Sequence, residues 1–213
     1  QGFRVPSVTE RYINDRSFFP VVANLSLRPE VSTSYELGVR SLIPLPVLGL
    51  GAQVDVAVFW NSYRRLVEPT FVPDSLAFQF VNLTRARIRG AEATVEASTA
   101  GERLTFQAGY TFLDADDLTT GAPLVFRARH LFKAAVGARL FGPFEAGADF
   151  RFASRPERVD SDFARFVPDA SIVVDTRVLD LRAGVRWPRL SISMLVRNAL
   201  DYYYLERPAL LAP

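Results

Sequence analysis

Leu104-Thr105-Phe106-Gln107-Ala108-Gly109-Tyr110-Thr111-Phe112 is the stretch on which the fold turns. Every second residue is apolar, and the residues between are small or polar. Side chains of an extended chain point alternately to opposite faces, so this pattern describes a strand with two unlike faces. It recurs along the chain. Phe144, Ala146, Ala148, Phe150 and Phe152 alternate with Glu145, Gly147, Asp149 and Arg151. Val54, Val56, Val58 and Trp60 alternate with Asp55, Ala57, Phe59 and Asn61, with Phe59 as the exception. Phe132 to Leu140 and Leu181 to Trp187 repeat it again.

Working outward, the pattern predicts eight strands, over roughly residues 33–43, 51–65, 77–99, 103–116, 123–141, 144–157, 169–187 and 190–205. A further fragment ends at residue 5. Soluble sheets use strands of about 5–6 residues, whereas a strand crossing a bilayer needs about 9–11 within the membrane alone. The connections alternate in length. Pro44–Leu50, Ala100–Glu102, Phe141–Pro143 and Pro188-Arg189 are short. Val5–Ser32, Leu66–Leu76, Asp114–Ala122 and Val159–Pro168 are long. Short turns on one rim and long loops on the other characterise outer-membrane barrels.

Composition agrees. The 213 residues are 49% hydrophobic and 23% charged, which excludes a disordered chain. No apolar run approaches the ~20 residues of a membrane helix. The net charge is +2, almost all of the positive charge is arginine, and no basic stripe marks a nucleic-acid partner. With no cysteine and His130 as the single histidine, cysteine-metal sites, most zinc sites and His-based triads are set aside. There is no Gly-x-Ser-x-Gly elbow and no phosphate-binding glycine loop, so neither an enzyme nor a bound cofactor is expected. Asp114, Asp116 and Asp117 read as a solvated loop tip rather than a cation site. Asp160, Asp162 and Asp169, with Arg155, Arg158 and Arg165, read as a charged outer loop.

The polar face carries Glu36, Arg40, Asp55, Glu92, Glu96, Lys133, Arg139, Glu145, Asp149, Arg151, Arg182, Arg186 and Arg197. In a soluble sandwich this would be the solvated outside; in a barrel it lines a wet lumen or meets a plug. Trp60, Tyr63, Trp187, Tyr202, Tyr203 and Tyr204 lie near strand ends and suit interfacial aromatic girdles.

Several motifs, in order, carry a resemblance. Gly2-Phe3-Arg4-Val5-Pro6-Ser7 precedes a stretch in which Asn24, Leu27, Pro29, Glu30, Ser32, Tyr35, Glu36 and Gly38 match a loop-to-strand element. Asn82 through Gly90-Ala91-Glu92, then Tyr110-Thr111-Phe112-Leu113-Asp114-Ala115, then Phe126-Arg127-Ala128-Arg129-His130, follow in sequence. Asn198-Ala199-Leu200-Asp201-Tyr202-Tyr203-Tyr204 completes the set. Together these resemble the β-barrel of TonB-dependent receptors. Leu25 and Ala128 stand where that family has proline, and Arg28 where it has lysine.

The resemblance implies an all-β fold: an antiparallel up-and-down transmembrane β-barrel segment of about eight long strands, open or incomplete, as one partial domain over residues 1–213. Asn24, Pro29, Glu30, Tyr35, Glu36, Gly38, Asn82, Gly90, Glu92, Arg127, His130, Asn198, Asp201 and Tyr204 are its motif positions, expected to be structural, with Glu36 and Glu92 pairing with lumen arginines. It implies the bacterial outer membrane, outer-membrane lipid around the wall, and energy-coupled uptake of a small molecule such as a metal–siderophore chelate. The family's plug domain, TonB-contacting segment and closing strand are not in these residues, so an internal slice of a longer polypeptide is expected. Its partners would then be the plug, the remaining strands and TonB. The alternative is a small stand-alone eight-stranded outer-membrane barrel acting as a passive pore. That reading requires residues 32–43 to pair with residues 190–205.

Overall fold

The computed structural model describes residues 1–15, 20–45, 49–159 and 174–203. Its elements are β1 (Gly2–Arg4), α1 (Val8–Tyr12), β2 (Val21–Val22), β3 (Glu30–Leu45), β4 (Leu50–Val72), β5 (Ala77–Thr99) and β6 (Leu104–Asp117). β7 (Ala122–Pro123), β8 (His130–Arg139), β9 (Phe144–Ala153), β10 (Thr176–Trp187) and β11 (Leu190–Val196) follow. They form one sheet in the order β1-β3-β4-β5-β6-β8-β9-β10-β11, with β2 alongside β5 and β7 alongside β6. All pairings are antiparallel except β2 with β5. Eight long strands in up-and-down order agree with the sequence reading.

The register sorts the side chains into two continuous faces. One row runs Val39, Val56, Ala93, Tyr110, Phe132, Phe152. Another runs Ala97, Phe106, Val136, Ala148, Leu181, Val196. The rows between are charged, as in Arg40, Asp55, Thr94, Gly109, Lys133, Arg151. The apolar face is bare: Leu37 is 73% exposed, Val39 71% and Met194 63%. A soluble sandwich would cover this face with a second sheet, and none is present among the described residues. Burial is concentrated elsewhere, in two small clusters where the long connections fold back. Val21, Phe71 and Phe78 form one; Leu66, Ala86, Ala115 and Leu124 form the other.

The sheet is open. β1 and β11 lie at its two ends, and β3 and β11 are not paired among the described residues. The pairing required by a closed eight-stranded barrel is therefore not made, and the stand-alone reading is not favoured.

Several boundaries differ from the sequence reading. Leu66–Leu76 is not a long loop: β4 continues through it to Val72, and a 3₁₀ turn at Pro73–Ser75 leads into β5 at Ala77. Residues 123–141 are not one strand, because Phe126 has φ 56° and turns the chain between β7 and β8. β9 stops at Ala153, short of residue 157. β11 stops at Val196, where Asn198 (φ 49°) and Asp201 (φ 48°) enter the left-handed region. Asn and Asp tolerate that region because their short side chains bond locally; the Asn198 side chain accepts from the Tyr202 amide. Residues 160–173, with the expected start of the seventh strand and most of the Val159–Pro168 loop, lie outside the described residues, as does Tyr204.

Phe59, the exception in the alternation, has a physical reason. It sits directly across from Gly90. A Cβ at Gly90 would overlap the Phe112 carbonyl oxygen and come within 2.6 Å of the Phe59 ring. Glycine thus opens the slot the ring occupies, an aromatic covering a strand glycine. Gly90→Ala is expected to destabilise by about 1–3 kcal/mol, as overpacking does. Gly109→Ala, whose Cβ would meet nothing nearer than Thr94 at 3.6 Å, should stay within about 0.5 kcal/mol. Urea midpoints of the two variants in detergent micelles check this contrast.

Candidate functional site

The motif residues scattered through the sequence converge at the end of the sheet bearing the long connections. There the backbone of β4 turns into the left-handed region at Arg65 (φ 60°) while its register with β5 holds from Arg64–Arg85 to Leu66–Leu83. The carbonyl of Arg65 accepts from Asn82 Nδ2 at 2.8 Å. The same amide nitrogen donates to the Arg28 carbonyl at 3.0 Å, and Asn82 Oδ1 accepts from the Arg28 amide at 2.8 Å. Asn24 Nδ2 donates to the Phe80 carbonyl at 2.8 Å, while its Oδ1 accepts from the Ser26 amide and hydroxyl. Two side-chain amides therefore fasten the descending loop to β5. Backbone groups away from water need such partners.

Pro29 directly precedes β3, whose first residue, Glu30, is buried. Glu30 accepts from Arg4 Nε at 2.8 Å and Nη2 at 2.7 Å, and from the Val67 amide at 2.6 Å. Arg4 also bonds Glu10 at 2.9 Å, and its pKa is raised, first by the Glu30 hydrogen bonds. Burial pushes the Glu10 pKa up, but the Ser7 amide and Arg4 outweigh it and hold the carboxyl below its ordinary value. Arg127 Nη2 bonds the buried Glu68 at 2.7 Å. These groups, with Tyr63 and Phe80, line a cavity of about 740 Å³. Its three carboxylates, Glu10, Glu30 and Glu68, exceed its guanidiniums, Arg4 and Arg127, so it suits ligand groups that donate hydrogen bonds or carry positive charge.

Other motif residues stand apart from this knot. Tyr35 is exposed on the apolar face opposite Trp60. His130 is across from Phe112 on that same face, and its Nδ1 meets the Tyr110 hydroxyl at 2.8 Å. Gly38 faces Ala57 in ordinary contact. Glu36 and Glu92 were expected to pair with arginines, yet neither has an ion pair among the described residues. Glu36 lies across from Phe59, and Arg40 is taken by Asp55. Farther along that face the pairs are Arg182–Asp149, Arg186–Glu145 and Arg151–Asp180.

Two further expectations are corrected. Tyr63 does not join an aromatic girdle; it lines the cavity. The Asp114, Asp116, Asp117 cluster is not a loop tip. Asp114 pairs with Arg89 and Arg129, and Asp116 with Arg87, all at strand level. Asp117 is buried and accepts from Thr119 and Thr120. Sequence reasoning passed over Glu10 and Glu68. The Ser7-x-x-Glu10 spacing is a capping-box signature, and the box is formed at α1. Nothing local marks Glu68, which finds Arg127 only through the fold.

A two-faced open wall, with paired charges on one side and bare apolar residues on the other, defines a segment of a transmembrane β-barrel. The family model for the TonB dependent receptor-like β-barrel matches residues 1–199, and the chain belongs to that family of outer-membrane proteins. It is 26% identical over 151 residues to the vitamin B12 transporter BtuB of Vibrio vulnificus (strain YJ016), covering 70% of this chain and 22% of that protein. Its fold is similar to the copper transporter OprC (TM-score 0.68, 18% identity, 96% of this chain and 30% of that one). It is also similar to the ferric enterobactin receptor PfeA of Pseudomonas aeruginosa (TM-score 0.62, 18% identity, 86% of this chain and 27% of that one). The chain thus spans less than a third of each of these three proteins, which are transporters and receptors rather than enzymes.

Asn82→Asp would set a carboxylate against two carbonyl oxygens and should loosen the 24–29 loop by about 1–3 kcal/mol. Faster hydrogen exchange at the Arg28 amide is the readout. For Glu10, a lowered folded pKa means its contribution is complete above the unfolded value of about 4.3 and is lost as pH falls through the folded one. Protection of the Ser7 amide, which donates to Glu10, should therefore decline as pH falls below the ordinary carboxyl range.

Proposed function

We propose that residues 1–213 form one part of the barrel wall of a TonB-dependent outer-membrane transporter that takes up a scarce nutrient such as a metal–siderophore chelate. The carrying observation is the division of the sheet's faces within a chain that matches the receptor barrel over residues 1–199. In this reading the apolar face meets outer-membrane lipid. The charged face turns to the lumen and to a plug domain of the same polypeptide, and TonB supplies the energy coupling. Asn24, Glu30, Asn82 and Arg127 act structurally, holding the outer loops at the mouth. Support for a chelate comes from relatives named for vitamin B12, copper and ferric enterobactin.

Deleting the gene and measuring uptake of labelled metal chelates under metal limitation tests this. Uptake of one chelate should fall at least tenfold, and a protonophore should abolish the same uptake in the parent strain. Unchanged uptake of every chelate, with lower passive permeability to small solutes, would support the passive-pore reading instead.

A further inference from the structure

Above its aromatic edge the apolar face changes character. The rows of β4 and β5 there are Trp60–Arg89, Ser62–Arg87 and Arg64–Arg85. All lie on the same face as Val58–Ala91 and Val56–Ala93, since positions two apart share a face. Arg89 is bound by Asp114 at 2.6 Å and Arg87 by Asp116. Both guanidiniums also lie over the Trp60 ring, at 5.6 and 5.3 Å from its centroid.

Arg64 and Arg85 differ from these two. They are direct cross-strand partners, both exposed, and neither has a carboxylate partner among the described residues. Like charges directly opposite one another destabilise a sheet. The neighbouring carboxylates, Asp114 and Asp116, are already engaged. Among the described residues the sheet therefore holds two uncompensated cations side by side, at the level where the apolar face ends. Such a local cost without a compensating contact marks a place where an outside partner completes the arrangement.

The surroundings specify that partner. Below the pair lie the hydroxyl of Ser62, which accepts from Trp60 Nε1 at 3.1 Å, and Thr33 across from it. Beside Arg64 along the row are Val31 and the exposed Phe3. Farther down are Leu37 and Val58. Two guanidiniums above hydroxyls, above an indole, above aliphatic side chains match an amphiphile with an anionic head and hydrocarbon tails. We propose that Arg64 and Arg85 clamp a phosphate group of a lipid in the leaflet facing the long loops. The proposal rests on the membrane placement given under Proposed function, but not on what the protein transports.

The test uses the protein expressed from its whole gene and purified in neutral detergent. Thermal midpoints and co-purifying lipid are measured with nanodiscs of phosphatidylcholine alone, nanodiscs containing lipid A, and inorganic phosphate at 10 mM. The wild type should insert in both nanodiscs, bind lipid A at least tenfold more tightly than the R64Q/R85Q variant, and gain little from inorganic phosphate. Arg64→Gln alone should raise the midpoint in neutral detergent, because the repulsion is relieved, while lowering the gain from lipid A. A merely structural arginine would not separate these two effects. Arg87→Gln, which strips a partner from Asp116, should lower the midpoint in every condition. Equal lipid A binding by wild type and double variant would overturn the clamp. Inorganic phosphate giving the full stabilisation would overturn its assignment to lipid. Failure to enter nanodiscs of either composition would instead overturn the membrane placement.

Discussion

The register between β4 and β5 is the constraint on which the rest of this structure depends. These are the two longest strands, and their pairing runs from Leu50–Thr99 to Val72–Ala77. A slip of one residue would carry every side chain of one strand to the opposite face. It would place Asp55 and Gln53 among the apolar rows and remove Gly90 from beneath Phe59. Because β3 and β6 take their registers from these strands, the error would spread. The Phe59–Gly90 fit and the Asn82 bridge hold the pairing at two separate heights, one within the apolar band and one above it.

Much of the fold was legible in the sequence because one physical rule, two faces per strand, leaves a direct trace in residue order. The alternation located the long strands, whereas connection lengths were a poorer guide, since most of Leu66–Leu76 belongs to β4 and Asp114–Asp117 to β6. What was not legible depended on partners distant in sequence. Leu66 to Leu76 lacks a clean alternation because four successive residues of β4, Leu66 to Pro69, are all buried, so both faces of the strand are covered there. Phe59 looked like an error until its glycine was placed across from it. The aspartates at 114, 116 and 117 resemble a loop in isolation; the arginines of Asp114 and Asp116 lie on β5 and in the segment before β8, and Asp117 holds Thr119 and Thr120 instead.

The candidate site was legible only in part. Motif order brought attention to Asn24, Glu30, Asn82 and Arg127, and these four do gather at one end of the sheet. Their common task, satisfying main-chain groups and buried carboxylates where loops meet strands, is a three-dimensional fact with no local signature. Glu36 and Glu92 show the opposite case. Their positions on the charged face were read correctly, but which acid meets which arginine depends on stagger between strands, and Asp55, Asp149 and Glu145 hold the pairs instead.

The glycines of β9 and β10 have a consequence for the relief of the charged face. A Cβ at Gly147 would come within 2.5 Å of Arg182, and one at Gly184 within 3.1 Å of Glu145. These long side chains therefore lie down over the glycines rather than standing upright from the wall. Clearance at that level is set by the backbone sheet, and the charges are presented as a low, already neutralised pavement. Any group laid against that level meets main chain and paired charges rather than free guanidiniums.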